Sequence, residues 1–217
     1  MQPLPALILA RHGESEASAR GVMNGVPGAG VALTDEGRAQ AERLGVLLRG
    51  TELARCVVTP FPRTLQTAHL ALGAWALGDL GRKLIPLEEE PRLSDPDFGA
   101  WEGRPLDEYR TWAVTAPPAE PCPGRGESRA AIAARIAAGI DALRHRAAAV
   151  GAAGHPVLVV AHSLPIRYLL DAAQCLVPAA RAERVPYAEP FRLEADEAEA
   201  SVQLLARWAT APAWRSA

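Results

Sequence analysis

Two histidines stand at points of the sequence where a functional site is expected. Arg11 and His12 directly follow an apolar run, residues 7–10, that predicts a short buried strand. His162 directly follows a second such run, residues 157–161, and precedes a predicted helix. Ligands of α/β sheets bind just beyond the carboxyl ends of the strands. A single Arg-His-Gly also occurs in ordinary surface loops, because so short a motif often matches by chance. The second strand followed by a histidine is what favours a functional site.

Arg63 adds a second cation, in the first turn of a helix opened by prolines. Two arginine forks can clamp a phosphoryl group bidentately, and a neutral imidazole can attack phosphorus and carry a covalent phosphoryl group. Nearby arginine charges disfavour the imidazolium form and keep the nucleophile usable. A second histidine, when protonated, would donate to the equatorial oxygens, and a carboxylic acid would protonate the leaving oxygen. The residue types therefore predict phosphoryl transfer.

The elements that must position these residues alternate between strand and helix. Apolar runs predict strands over residues 7–10, 55–59, 84–87 and 157–161, with two more over 191–194 and 202–207 around an acidic turn. Helical signals predict helices from Thr34 as N-cap to Gly50, from Pro60 to about Trp75, and over residues 105–112, 127–150 and 164–173, the last with Ser163 as N-cap. Alternation of this kind predicts a three-layer α/β/α sandwich with a mainly parallel central sheet flanked by helices.

Composition limits the function classes. The chain has 217 residues, 49% of them apolar, and a net charge of −2. This suits a single domain over residues 1–217, with an acid-bearing loop and lid at about 88–128 and a loose tail from about 209. The charge argues against nucleic-acid or membrane-surface partners. Three widely spaced cysteines and the absence of a ~20-residue apolar run or a signal peptide favour a cytoplasmic protein.

No metal or other cofactor is expected. The two histidines lack carboxylates at ligand spacing, and their arginine neighbours would repel a cation.

Several short motifs together resemble the histidine phosphatase superfamily, also called phosphoglycerate mutase-like. Each is weak alone, and their joint order and spacing carry the resemblance. In chain order they are Arg11-His12-Gly13-Glu14, Leu33-Thr34 with Gly37 and Gln40-Ala41, Arg63 with Gln66-Thr67-Ala68, Phe98-Gly99, Trp101-Glu102-Gly103, Gly126-Glu127-Ser128 and Ala161-His162-Ser163.

The resemblance implies a role for each matching residue. His12 would be the phosphorylated nucleophile, and Arg11, Arg63 and His162 would complete the phosphate pocket. The proton donor, commonly Glu in the family, aligns with Asp95; Asp97 competes for this role, while Glu89 and Glu90 are weaker candidates. Substrate contacts are expected from Ser18 (Asn in many members), Ser163, Trp101 and Arg104, and substrate choice from the loop 19–33, Tyr109, Trp112 and the segment 115–126. The aromatic residues there either stack on the substrate or pack the lid.

Three functions follow from this site. The favoured one is a metal-independent phosphatase that hydrolyses small-molecule phosphate monoesters through phosphohistidine. A phosphoglycerate mutase is the alternative, but the segment 109–126 lacks the adjacent arginine pair with which the family's mutases grip a carboxylate. The third is a weakly active domain that binds a phosphorylated ligand. The resemblance also allows a homodimer.

Overall fold

A five-stranded sheet forms the centre of the fold. The computed structural model describes residues 3–27, 31–79, 85–144 and 154–215. Four strands run parallel and the edge strand β5 is antiparallel to β1, in the order β3-β2-β4-β1-β5. The strands are β1 (Leu7–Arg11), β2 (Arg55–Val58), β3 (Leu87–Glu89), β4 (Val157–Ala161) and β5 (Pro190–Leu193).

Helices follow most strands, as βα units require. They are α1 (Glu16–Ala19), α2 (Asp35–Leu47), α3 (Pro62–Ala76), α4 (Leu106–Ala113), α5 (Arg129–Asp141), α6 (Ser163–Ala173) and α7 (Ala195–Thr210), with single 3₁₀ turns at Pro91–Leu93 and Gly99–Trp101.

The side chains of β1 show how the layers form. Leu7 and Leu9 pack with residues of α5, α6 and α7, whereas Ile8 and Ala10 pack with residues of α2 and α3. Successive side chains of a strand point to opposite faces, so an unbroken apolar run requires cover on both sides. The predicted three-layer arrangement with a mainly parallel sheet is confirmed.

One predicted strand is wrong. Residues 202–207 lie inside the helix α7, whose inward face includes Ala198, Val202, Leu205 and Trp208. These positions follow the three-and-four spacing of a helix. Six residues are too few to distinguish this spacing from the alternation of a strand. The missed start signal is a capping box, in which Glu194 and Glu197 each accept from the other's backbone N–H.

Several boundaries also differ from the predictions. Helix α5 ends at Asp141, and part of the predicted extension to residue 150 lies outside the described residues, as does residue 84 of the strand predicted at 84–87. The N-cap of α6 is His162, and Ser163 is its first residue. The tail predicted as loose is held as far as it is described, because the indole N–H of Trp214 donates to the carbonyl of Ala116 at 3.0 Å.

Within the described ranges, no helix has both the length and the apolar character needed to cross a membrane.

Candidate active site

The pairing of β1 with β4 brings the two histidines together. Arg11 is the last residue of β1 and is in register with Ala161, the last residue of β4. His12 continues the ladder, since its backbone N–H donates to the carbonyl of Ala161 at 3.0 Å. The imidazole centroids of His12 and His162 are 5.3 Å apart. The sheet register alone therefore places both predicted histidines in one site.

Gly13 turns the chain away from β1 where no side chain fits. A Cβ at this position would lie 2.3 Å from the carbonyl oxygen of Gly37 in α2. The backbone N–H of Gly13 donates to Thr67 Oγ1 at 3.0 Å, and that of Glu14 donates to Gln40 Oε1 at 2.8 Å. Side chains of α2 and α3 thus fix the loop that carries His12.

One ring nitrogen of His12 is free to act as a nucleophile. Its Nδ1 lies 2.7 Å from the carbonyl oxygen of Gly13. A carbonyl only accepts, so Nδ1 carries the proton and the lone pair is on Nε2. Burial lowers the pKa of His12 well below its usual range, and the charges of Arg63 and Arg11 act in the same direction. His12 is therefore a neutral imidazole.

His162 lies between Arg63 and Thr59. Its Nδ1 is 3.3 Å from a guanidinium nitrogen of Arg63. Its Nε2 is 2.8 Å from Thr59 Oγ1. Burial lowers the pKa of His162 well below its usual range, and the charge of Arg63 adds to this. His162 is thus a buried ring in contact with Arg63, and its role as a protonated donor to the phosphoryl group stays a prediction.

Arg63 is the centre of the hydrogen-bond network. Its side chain is only 3% exposed. One terminal nitrogen donates to Asn24 Oδ1 at 2.7 Å, and the other donates to the Asn24 carbonyl at 2.9 Å and to Asp95 Oδ2 at 3.1 Å. Asp95 Oδ2 also lies 3.4 Å from His162 Nδ1. Arg63 consequently orients the acid and the second histidine together.

Asn24 was missed by the sequence analysis. Its loop is held because the backbone N–H of Gly25 donates to both carboxylate oxygens of Glu102, at 3.0 and 3.1 Å. A Cβ on Gly25 would lie 1.9 Å from the carbonyl oxygen of Pro96. The available signal was that Asn24 is the only side-chain amide in the loop 19–33 and precedes a glycine.

Among the candidate acids, the structure favours Asp95. Burial raises the pKa of Asp95, and the charges of Arg63 and Arg11 only partly oppose this shift. Asp97 is exposed, and its Oδ1 accepts from the backbone N–H of Gly99 at 2.8 Å. Glu90 is buried in an ion pair with Arg92. Asp95 alone of the four predicted carboxylates lines the cavity described next.

The candidate active site faces a cavity of about 850 Å³. It is lined by predicted residues from every part of the site: Arg11, His12, Ser18, Arg63, Asp95 and Ser163. His162 has no exposed surface and lies behind them. Arg11 donates to the carbonyl of Val185 at 2.9 Å and stacks on the ring of Tyr187 at 3.7 Å. No partner among the described residues accepts from Arg11 Nε.

Two predicted substrate contacts are not part of the cavity lining. Trp101 packs against the apolar cluster of Met23, Phe98 and Tyr109. The guanidinium of Arg104 lies 4.5 Å from the Trp101 ring and is paired with Glu108. These contacts hold both side chains outside the cavity lining, and their contact with substrate stays a prediction.

Comparisons with known proteins identify the family. A model of the histidine phosphatase superfamily, branch 1, matches residues 7–207. The chain belongs to the histidine phosphatase superfamily. A curated relative, 2,3-bisphosphoglycerate-dependent phosphoglycerate mutase of Mycobacterium leprae (strain Br4923), is 40% identical over 101 residues, which cover 45% of this chain and 37% of the mutase. The chain thus matches well under half of that relative's length.

Solved structures support the fold over nearly the whole chain. Bacillus stearothermophilus YhfR is 29% identical with a TM-score of 0.70, and the match covers 88% of this chain and 91% of that one. The alpha-ribazole phosphatase of Shigella flexneri is 24% identical with a TM-score of 0.68, over 87% of this chain and 90% of that one. At 24% identity the second likeness bears on the fold alone.

Proposed function

We propose that this protein is a metal-independent phosphatase that hydrolyses small-molecule phosphate monoesters through a phosphohistidine on His12. The carrying observation is the fixed tautomer of His12. The Gly13 carbonyl binds the protonated Nδ1, which leaves Nε2 as a neutral nucleophile beside Arg11 and Arg63. Membership of the histidine phosphatase superfamily supports the same chemistry.

The first step transfers the phosphoryl group to the enzyme. His12 Nε2 attacks phosphorus while the bond to the ester oxygen breaks. Arg11 and Arg63 donate to the phosphoryl oxygens and stabilise the charge that is spread over them. Asp95, whose pKa is raised by burial, acts in its protonated form and gives its proton to the leaving oxygen. The products of this step are a free alcohol, phosphohistidine and an Asp95 carboxylate.

The second step regenerates the enzyme. The Asp95 carboxylate takes a proton from water as the water oxygen attacks phosphorus. The bond from phosphorus to His12 Nε2 breaks, inorganic phosphate leaves, and both side chains return to their starting states. Two in-line displacements give retention of configuration at phosphorus.

The direct test is hydrolysis of an aryl phosphate in excess EDTA. We expect the parent to be active, His12→Ala to lose at least about 10³-fold in kcat, and the exposed histidine variant His69→Ala to match the parent. Phosphohistidine should be detected after an alkaline quench in the parent and not in His12→Ala. Activity that persists in His12→Ala, or that EDTA abolishes in the parent, would refute the mechanism.

A phosphoglycerate mutase is the second candidate. The match to the Mycobacterium leprae mutase favours it, since 45% of this chain is aligned with that enzyme. In a mutase the phosphohistidine returns its phosphoryl group to a substrate hydroxyl instead of to water. Phosphoglycerate incubated with the enzyme separates the two functions, because a phosphatase releases inorganic phosphate and a mutase forms the isomeric ester.

The proposal includes a cytoplasmic location and a homodimer. Cys56 and Cys122 are buried and unpaired, which suits a reducing compartment. Sedimentation at several protein concentrations tests the homodimer, and fractionation of the native cells tests the location.

A further inference from the structure

Arg129 is a buried cation in the cavity without an acidic partner. It is 5% exposed and lines the same cavity as His12. Its guanidinium donates to the hydroxyls of Tyr168 and Tyr109, at 2.6 and 3.4 Å, and to the carbonyl of Ala179 at 3.5 Å. All three acceptors are neutral groups.

Two other buried arginines of the chain form ion pairs with carboxylates. Arg55 is paired with Glu88 at 2.6 Å, and Arg144 is paired with Asp141 and Glu199, both at 2.6 Å. In the part of the chain that the structure describes, no carboxylate lies within ion-pair distance of Arg129. A buried charge is costly unless it is paired, and only neutral acceptors offset the charge of Arg129.

The position of Arg129 on its helix adds to the uncompensated positive charge. It is the first residue of α5, where the helix dipole already presents positive charge, and the first turn of α5 contains no acidic residue. Glu127, the nearest acid in the chain, is committed to Arg135 at 2.7 and 2.8 Å. The helix end and the guanidinium therefore carry the same sign, and no acidic residue of the first turn offsets them.

The rest of the cavity rim adds positive charge. Arg181 and Arg184 are exposed and line the cavity, as does Arg110, which is paired with Asp107 at 3.3 Å. Among the described residues, six arginines and three carboxylates line the cavity, and the carboxylates are Asp95, Asp107 and Glu183. A volume of about 850 Å³ is within the range of cavities that enclose whole small molecules, and it is far larger than one phosphate needs.

We propose that Arg129, assisted by the rim arginines, forms a second anion subsite, and that the natural substrate is a phosphate monoester with a further carboxylate or phosphate. The inference rests on the proposed function, since the first phosphate is the one that His12 attacks. Arg129 binds the distal anion in the ground state and in the transition state, and it takes no part in bond breaking.

The experiment compares three esters that differ only at the distal end. These are glycerol 3-phosphate, 3-phosphoglycerate and glycerol 1,3-bisphosphate, assayed for release of inorganic phosphate at constant ionic strength. We expect the parent to prefer at least one anionic ester over glycerol 3-phosphate by about tenfold or more in kcat/KM, as for one charge-assisted hydrogen bond. The preferred ester tells a distal carboxylate from a distal phosphate.

Variants then locate the subsite. In Arg129→Gln the preference should fall by about tenfold, mainly through KM, and Arg129→Lys should restore part of it. Should Arg129→Gln fail to fold, the double variant Arg181→Gln/Arg184→Gln should lower the same preference through the exposed rim. Arg43→Gln removes an exposed charge paired with Glu36 on α2 and should leave the preference unchanged.

The outcomes separate the inference from the function. If the parent hydrolyses all three esters equally, or if folded Arg129→Gln keeps the parent's preference, the second subsite is refuted and the phosphatase stands. If the parent hydrolyses none of them and no aryl phosphate, the proposed function itself fails.

Discussion

The two ends of the cavity are built in different ways. At the reaction end, Arg11, His12 and His162 stand at the ends of adjacent parallel strands and are buried or nearly so. At the rim, Arg181 and Arg184 belong to the connection between α6 and β5, and both are exposed. The sheet thus fixes the phosphoryl chemistry, whereas substrate choice lies with segments that the sheet does not constrain.

The largest effect is expected when the candidate acid of the reaction end, Asp95, is replaced. Asp95→Asn should lower kcat for alkyl phosphates by about 10²- to 10⁴-fold, because an alkoxide leaves poorly without a proton. Aryl phosphates, whose leaving group needs little protonation, should lose much less. Asp97→Asn is the matched control, and an equal loss on both ester types in Asp95→Asn would refute the acid role.

The rate of hydrolysis at the reaction end should also depend on pH. Asp95 must be protonated and His12 neutral, and burial raises the pKa of Asp95 and lowers that of His12. Hydrolysis of alkyl phosphates should therefore fall as pH rises through the pKa of Asp95, and should fall on the acid side only below the usual histidine pKa of about 6.5. Asp95→Asn should lose the alkaline fall, and a parent rate that keeps rising above neutral pH would contradict this assignment.

The next effect tests the fixed backbone of the reaction end. Gly13→Ala places a Cβ 2.3 Å from the Gly37 carbonyl, so the loop must shift. We expect kcat to drop by about 10²-fold, as for a misplacement of about 1 Å, and the free energy of unfolding to fall by about 2 kcal/mol. Activity assays and urea denaturation measure both.

Gly73→Ala is the control for that substitution. Gly73 lies in α3 on an exposed surface, where a Cβ would meet nothing within 4 Å. Its replacement should leave activity unchanged and stabilise the protein by about 0.5–1 kcal/mol. If Gly13→Ala were as active as Gly73→Ala, the loop would be less constrained than the contacts indicate.

The reaction end was predictable from the sequence because local patterns decide it. An apolar run buried on both faces ends at Arg11, and a second ends before His162, so parallel pairing places them side by side. Prolines at the start of α3 place Arg63 in a first turn. Each of these signals lies within about ten residues of the side chain that it positions.

The rim and the supports were not predictable in this way. Asn24 reaches Arg63 across 39 positions of sequence, and Tyr187 stacks on Arg11 across a still longer separation. No periodicity marks such contacts, because the segments that make them are irregular. The aromatic and cationic types of Trp101 and Arg104 allowed either a ligand contact or packing, and in the structure the two side chains contact each other.

A smaller effect is expected on stability at acid pH. Folded His12 and His162 have lowered pKa values, so below about pH 6.5 the unfolded chain binds protons that the folded chain does not. The free energy of unfolding should therefore fall as pH drops from 6.5 toward 5, and both rings contribute to the fall. Asp95, whose pKa is raised, acts with the opposite sign above its usual range.

Denaturation at several pH values measures this loss. The double variant His12→Gln/His162→Gln should flatten the dependence, while the exposed His69→Gln should keep it. A parent whose stability does not change over this pH range would contradict the buried neutral state of the two rings.

The smallest expected effect compares an arginine outside the cavity lining, Arg104, with one inside it, Arg184. Arg104 lies outside the cavity lining, half-exposed and paired with Glu108, so Arg104→Ala should change kcat/KM by no more than about twofold and stability by within about 0.5 kcal/mol. Arg184→Ala removes a cation that lines the cavity and should weaken binding of a substrate with a second anion by several-fold more. Arg184 lines the cavity, whereas Arg104 does not. If both variants lose the same affinity for such a substrate, a position in the cavity lining does not determine substrate preference.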